Sequence, residues 1–249
     1  MIKSEWIKLW SVRSTWWALY VAAVGMIGIA VAYALVVKPD QASPTDALQG
    51  TAFGQLAFGV LGVLVVSTEY STGLIRTTFA TVPRRRLVIA AKAGLLFAVL
   101  LVGGQAAALA AFLAAQVLLG HRGVHFSLAD HDMLISVLGC GCYLVFIGMF
   151  GFCVGVLLER TTAAVATFFG IVFVGMGVIP NLMPGSVKAD IARLTFLRIG
   201  EAMSTPARTL PREPAGWLLG TGAAWGVCVL YLAVVLVVPL LVVTRRDTG

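Results

Sequence analysis

Charge is what this chain has least of. Only 12% of its 249 residues are Asp, Glu, Lys or Arg, about half the share of an ordinary soluble domain, while 59% are hydrophobic. A soluble globular fold is thereby excluded. Short alternating apolar and polar segments are lacking too, which argues against a membrane β-barrel. The motifs that carry nucleotide, metalloprotease or serine-hydrolase chemistry (G-x-x-x-x-G-K-[ST], H-E-x-x-H, G-x-S-x-G) do not occur. With no loop to cradle phosphates, the chain is not expected to be an enzyme that turns over nucleotides, and it carries no cofactor of its own.

Histidine and cysteine are scarce and poorly placed for chemistry. All three histidines, His121, His125 and His131, fall in one polar stretch, GHRGVHFSLADHD. His121 and His125 have a helical i, i+4 spacing, but Gly123 lies between them, so a solvated loop without a metal is the reading. The four cysteines, Cys140, Cys142, Cys153 and Cys228, sit inside apolar runs, where a free thiol is a small buried hydrophobe. Neither histidine nor aspartate falls within those runs, which removes the nucleophile–base pairs and paired acids of intramembrane proteases. Midplane carboxylates, which ion-coupled pumps normally carry, are missing as well. The most polar span residues, Gln55, Gln105 and Gln116, are expected to bridge helices by hydrogen bonds.

What is present is apolar length. Runs at about 15–37, 48–68, 87–119, 133–158, 161–179 and 215–243 are each long enough to cross the hydrocarbon core, which needs about 20 helical residues. The expected fold is therefore an all-α membrane protein with six transmembrane helices. Only Glu159 and Arg160 separate the fourth run from the fifth, as a tight turn. The third run exceeds what a bilayer needs, so tilt, or a start in the interface with Lys92 snorkelling outward, is expected. Pro239 is placed to kink the sixth. Gly151-x-x-x-Gly155, Gly216-x-x-x-Gly220 and Gly222-x-x-x-Gly226 allow close helix contact.

The net charge of +7 is spread over the membrane-flanking segments and reads as topology and anionic headgroups, not as a nucleic-acid surface. With the N-terminus inside, Lys3, Lys8, Arg13, Arg76, Arg84, Arg85, Arg86, Lys92, Arg160, Arg245 and Arg246 face the cytoplasm, eleven of the eighteen basic residues. Five of the other seven lie in the segment Pro180–Pro214, whose length lowers its weight in the rule. Both termini are thus expected in the cytoplasm of a multi-pass protein of the cell (inner) membrane. In the outer segment 180–214, Ile191, Leu194 and Leu197 recur at i, i+3, i+6, the face of a short helix that either dips into the outer leaflet or covers the bundle.

Residues Met1–Ser14 place Ile2, Trp6, Leu9 and Trp10 on one side of a helix with Lys3, Lys8 and Arg13 at its edges, an interfacial helix leading into the first span. A signal peptide is the other reading, disfavoured by the length of the following run. The cytoplasmic loop 69–86 reads EYSTGLIRTTFATVPRRR. Its Ile75, Phe79 and Val82 lie at i, i+4, i+7 with Leu74 at the edge of the stripe, Ser71 and Thr72 as N-caps and Pro83 as a stop. It is read as a short cytoplasmic amphipathic helix between spans two and three, followed by an arginine cluster. For Glu69 the residues suggest an ion pair with Arg76 or Lys92.

The Glu69-Tyr70 pair, the small-residue run with Gly73 and Arg76, and the Pro83-Arg84-Arg85 turn resemble the first cytoplasmic loop of ABC type-2 transporter permeases. The segment SEWIKLWSVRSTWW (Ser4–Trp17) is similar to the lead-in segment of the same family. The resemblance implies two six-span subunits, as homo- or heterodimer, forming a pathway through the lipid. Two cytoplasmic ATPase subunits, which hold the ATP and magnesium, would drive it by docking on the loop. It implies that Glu69 marks the inner end of span two, that Gly73, Leu74, Ile75, Arg76, Phe79 and Val82 belong to the docking helix, and that Pro83, Arg84, Arg85 and Arg86 lead into span three. It also favours ordered structure between the last two spans. The alternative function is an integral membrane immunity, sensor or assembly protein without a transport pathway.

Overall fold

The computed structural model describes residues 13–38, 48–74, 85–124, 127–178, 182, 191–205 and 218–247. Among them there are helices and turns and no strands. The helices are α1 (Arg13–Val36), α2 (Thr51–Ser71), α3 (Arg85–Gly120), α4 (His131–Leu158), α5 (Thr161–Phe169) with a π-helical continuation (Gly170–Val178), α6 (Phe196–Ser204) and α7 (Thr221–Asp247). Five of them, α1, α2, α3, α4 and α7, are long and apolar enough to cross a membrane. The apolar helix at α5 is shorter. The expected N-terminal interfacial helix lies outside the described residues.

Contacts along the helices fix their directions. Thr51 meets Cys140 and Gln55 meets Tyr143, while further along Val66 approaches Gly155, so α2 and α4 run the same way. The helix between them runs back: Leu100 of α3 lies against Gly148, and Gln105 against Leu138. Leu19 of α1 packs at Gly103 and the end of α1 meets Arg122, so α1 runs with α3. Trp225 of α7 lies beside Ile135 and Leu138, and Tyr231 beside Phe146 at 6.0 Å between ring centroids, so α7 runs with α4. The two-residue turn between α4 and α5 reverses the chain, with Glu159 left-handed (φ 57°) and its N–H donating to the Gly155 carbonyl. The helices α1 to α5 therefore alternate in direction, and α7 runs with α2 and α4. The start of α1, the Glu69 end of α2, the start of α3 and the end of α7 share one end of the bundle.

The core is the α2–α4 contact. A Cβ on Gly62 would run into the carbonyl oxygen of Gly148, and one on Gly151 into that of Gly59. The two backbones approach closely because these positions carry no side chain, the packing mode of membrane helices. In α4, 78% of the apolar window is buried, against 22% in α1 and in α7. It is the central helix, and α1 and α7 lie at the periphery. Gly155 behaves as its motif suggested, but a Cβ on Gly220, Gly222 or Gly226 would meet nothing within 4 Å, so these glycines serve no close contact here, and Gly216 lies outside the described residues.

Polar side chains close helix ends and join helices. The Arg122 guanidinium donates to the carbonyls of Ala34, Leu35 and Val37 at 3.0 Å each, satisfying the last acceptors of α1. Gln105 donates to the Leu138 carbonyl at 3.1 Å and Gln55 accepts from Tyr143 at 2.6 Å, the bridges expected of them. Gln116 instead donates to Val124 in the turn that follows its own helix. Pro239 lies inside α7, which continues to Asp247.

Two expectations are corrected here. Lys92 does not snorkel: its side chain is 2% exposed and bonded to Glu69, a counter-charge on the neighbouring helix that removes the need to reach water. The short helix expected over Ile191, Leu194 and Leu197 is interrupted: residues 191–193 are helical, the chain turns at Leu194 and Thr195, and α6 starts at Phe196, with the three aliphatic side chains 36–43% exposed. The buried face of α6 is Phe196, Ile199, Gly200 and Met203. A ring cluster sets it: Phe196 contacts Phe146 and Phe150 of α4 at 5.0 Å each and Tyr231 of α7 at 5.7 Å.

Candidate functional site

Two places combine polar groups with a defined geometry, one at each end of α2. At the Glu69 end, Lys92 Nζ donates to Glu69 Oε1 at 2.7 Å, with the two side chains 2% and 14% exposed. A charge-assisted bond of this length, largely shielded from water, ties the last turns of α2 to the first turns of α3. Immediately beyond, α2 stops. The Thr72 and Gly73 N–H groups donate back to the carbonyls of Thr68 and Tyr70. Gly73 has φ +74°, a left-handed conformation that glycine adopts without strain and that ends helices.

Ser71 and Thr72, read from the sequence as N-caps of the next helix, are thus the last residue and the C-cap of α2. Their hydroxyls donate backward, Ser71 to the Thr68 carbonyl at 3.0 Å and Thr72 to the same oxygen at 2.8 Å. Leu74 follows, helical and 56% exposed. Ile75, Arg76, Phe79, Val82, Pro83 and Arg84 lie outside the described residues. Arg85 opens α3 and Arg86 follows within it. The structure therefore brings together Glu69, Gly73, Leu74 and the start of α3 at one end of the bundle.

The second place was not foreseen. At the opposite end of α2, a cavity of about 240 Å³ lies between the first turns of α2, the middle of α4 and one face of α6. Thr51 and Gln55 form one wall, Tyr143 the floor, and Gly200, Glu201, Ser204 and Thr205 the other wall. Tyr143 is 1% and Gln55 5% exposed, so the hydrogen bond between them is fixed in the interior. Gly200 sits against the Tyr143 ring, which lets α6 come down close to α4 and shapes the floor. Glu201 accepts from Arg198 at 2.6 Å through Oε2. Beside the cavity is an apolar groove of about 360 Å³ between the first turns of α4 and α7, reached past Thr205, which lines both.

Sequence signals for this cavity existed in pieces. Gln55 stood out as a polar span residue, and 191–197, the stretch that leads into α6, as a periodic segment between prolines. That Tyr143, in the middle of a continuous apolar run, turns its hydroxyl to Gln55 follows only from the parallel course of α2 and α4. Among the described residues, no group of three or more His, Cys, Asp or Glu could hold a metal ion. Comparison with known proteins gives no matching family model and no matching curated relative.

Proposed function

We propose that the chain is the membrane-spanning permease subunit of an ATP-driven exporter, working as a dimer and driven by a separate cytoplasmic ATPase. The observation that carries this reading is the construction of the Glu69 end. An ion pair locks α2 to α3, a left-handed glycine stops α2 at a defined residue, and the sequence 75–84, with Arg76 and Arg84, connects these two locked helices. A force applied to such a loop is transmitted to two helices at once instead of being absorbed in slack chain. The resemblance of EYSTGLIRTTFATVPRRR to the first cytoplasmic loop of ABC type-2 permeases supports the same reading. In it, α5 with its π-helical continuation is the sixth membrane crossing, the Glu69 end faces the cytoplasm, and ATP and magnesium belong to the partner.

The loop supplies the test. Its stripe of Ile75, Phe79 and Val82 would fill an apolar groove on the ATPase, as amphipathic helices do. An unpaired aspartate placed there is poorly solvated and costs several kcal/mol of association. Phe79→Asp should therefore lose the ATPase on co-purification, while membrane insertion stays at the wild-type level. Equal recovery of the ATPase with wild type and variant would make the loop a lipid anchor and remove the docking role.

A further inference from the structure

We infer that the cavity at the Thr51 end of α2 binds the head of an alkyl-chain amino alcohol: a primary ammonium beside a hydroxyl, with its tail in the adjoining groove. The inference holds for the chain with or without an ATPase partner, because it rests on which hydrogen-bonding groups of the wall are already used.

The wall is rich in acceptors whose own hydrogens are committed elsewhere. Ser204 donates its only hydroxyl hydrogen to the helix carbonyl of Gly200 at 2.8 Å, and Thr205 donates to that of Glu201 at 2.6 Å. Tyr143 gives its hydrogen to Gln55 Oε1. Each of these oxygens keeps a lone pair and has no hydrogen left to offer. Glu201 is held by Arg198 through Oε2 only, and the described residues supply no partner for Oε1. The buried donor is Gln55 Nε2: this side chain is 5% exposed and lines the cavity together with the more exposed Gln49, and the described residues supply no acceptor for its amide.

A ligand that satisfies such a wall brings several N–H or O–H donors and one acceptor. A primary ammonium has three donors and no acceptor. Set against Glu201 Oε1, it leaves two hydrogens for the hydroxyl oxygens. The neighbouring hydroxyl oxygen of the ligand accepts from Gln55 Nε2. A quaternary ammonium carries the charge but no donors, and an alcohol carries a donor but no charge. Past Thr205 the groove offers the apolar side chains of Ile135, Leu138 and Trp225 for a hydrocarbon tail, beside the polar Asp132, Ser136 and Thr221.

The test measures binding to the purified chain in phosphatidylcholine nanodiscs, with empty nanodiscs subtracted. The probes are 2-amino-1-octanol, octyltrimethylammonium and octan-1-ol. The amino alcohol should bind saturably at one site, and the other two should bind roughly ten-fold or more weaker, as expected for loss of charge-assisted hydrogen bonds. Glu201→Gln should bring the amino alcohol down to the level of octanol. Trp225→Ala should weaken the amino alcohol and octanol by the same factor, leaving their ratio intact. Equal binding of the three probes, or discrimination that survives Glu201→Gln, would overturn the proposal. Both variants are checked for a wild-type elution profile; should Glu201→Gln fail that check, the probe ranking on the wild-type chain decides alone.

Discussion

A lysine side chain 2% exposed has no stable place in an apolar bundle without a counter-charge, and Glu69 supplies it. Removing one partner of such a pair takes the counter-charge from a largely buried ion, typically a loss of about 3–5 kcal/mol, whereas replacing both with apolar groups is often close to neutral. Lys92→Met and Glu69→Leu are each expected to lower stability by amounts in that range, and the double variant to recover most of the loss. Thermal unfolding of the four proteins in one detergent checks this. A double variant as damaged as the sum of the singles would show that the pair is not the source of the effect. The residues of this pair were legible in the sequence as the polar flanks of a loop, and Lys92 was one of two partners suggested for Glu69. Its burial was not legible. A lysine near the start of a long apolar run is ordinarily free to extend to the interface, and only the fold, which brings the start of α3 to the Glu69 end of α2, decides otherwise.

The elements show the same division between what spacing reveals and what packing decides. Gly151-x-x-x-Gly155 and Gly222-x-x-x-Gly226 are identical as motifs, yet the first is pressed against α2 and the second meets nothing within 4 Å. Gly62→Ala and Gly151→Ala would each set a methyl group against a backbone carbonyl, which cannot rotate away as a side chain could. The helices must separate, and overpacking of this kind costs about 1–3 kcal/mol or more. Gly226→Ala should stay within about 0.5 kcal/mol of wild type, as changes away from contacts do. Unfolding midpoints of the three variants measure the contrast, and a harmless Gly62→Ala would mean that α2 and α4 are not in backbone contact. Helix boundaries were largely readable, since Arg13–Val36, Arg85–Gly120 and His131–Leu158 differ by at most two residues at either end from the apolar runs. The face of α6 was not. A count of large aliphatic residues selects Ile191, Leu194 and Leu197, of which only Leu197 lies in α6, whereas the buried side is chosen by Phe196 and by Gly200, whose lack of a side chain accommodates the Tyr143 ring.

At the scale of the whole molecule, direction is the property that ties the two sites together. Because α2 and α4 run the same way with α3 reversed between them, the Glu69–Lys92 pair and the Gln55–Tyr143 cavity lie at opposite ends of one helix. Thr51 and Glu69 are separated by about 27 Å at 1.5 Å per residue, close to the ~30 Å hydrocarbon thickness. One site therefore belongs to each surface of the bilayer. In the proposed orientation, read from the basic residues of 76–86 and from Arg245-Arg246, the Glu69 end faces the cytoplasm, and the turn at Glu159-Arg160 lies at that same end. The prediction is that Glu159→Cys and Arg246→Cys react with a membrane-impermeant maleimide only after the membrane is opened, and that Asp130→Cys reacts in intact cells. Background from the native thiols should be low, since Cys140, Cys153 and Cys228 are buried and Cys142 is half-buried within α4. Asp130 and Glu159 flank the same helix, so their opposite accessibility tests α4 as a true crossing independently of the other spans. Labelling of both from outside would leave α4 unable to span the membrane. Labelling of Glu159→Cys alone would invert the bundle and place the Gln55–Tyr143 cavity at the cytoplasmic surface.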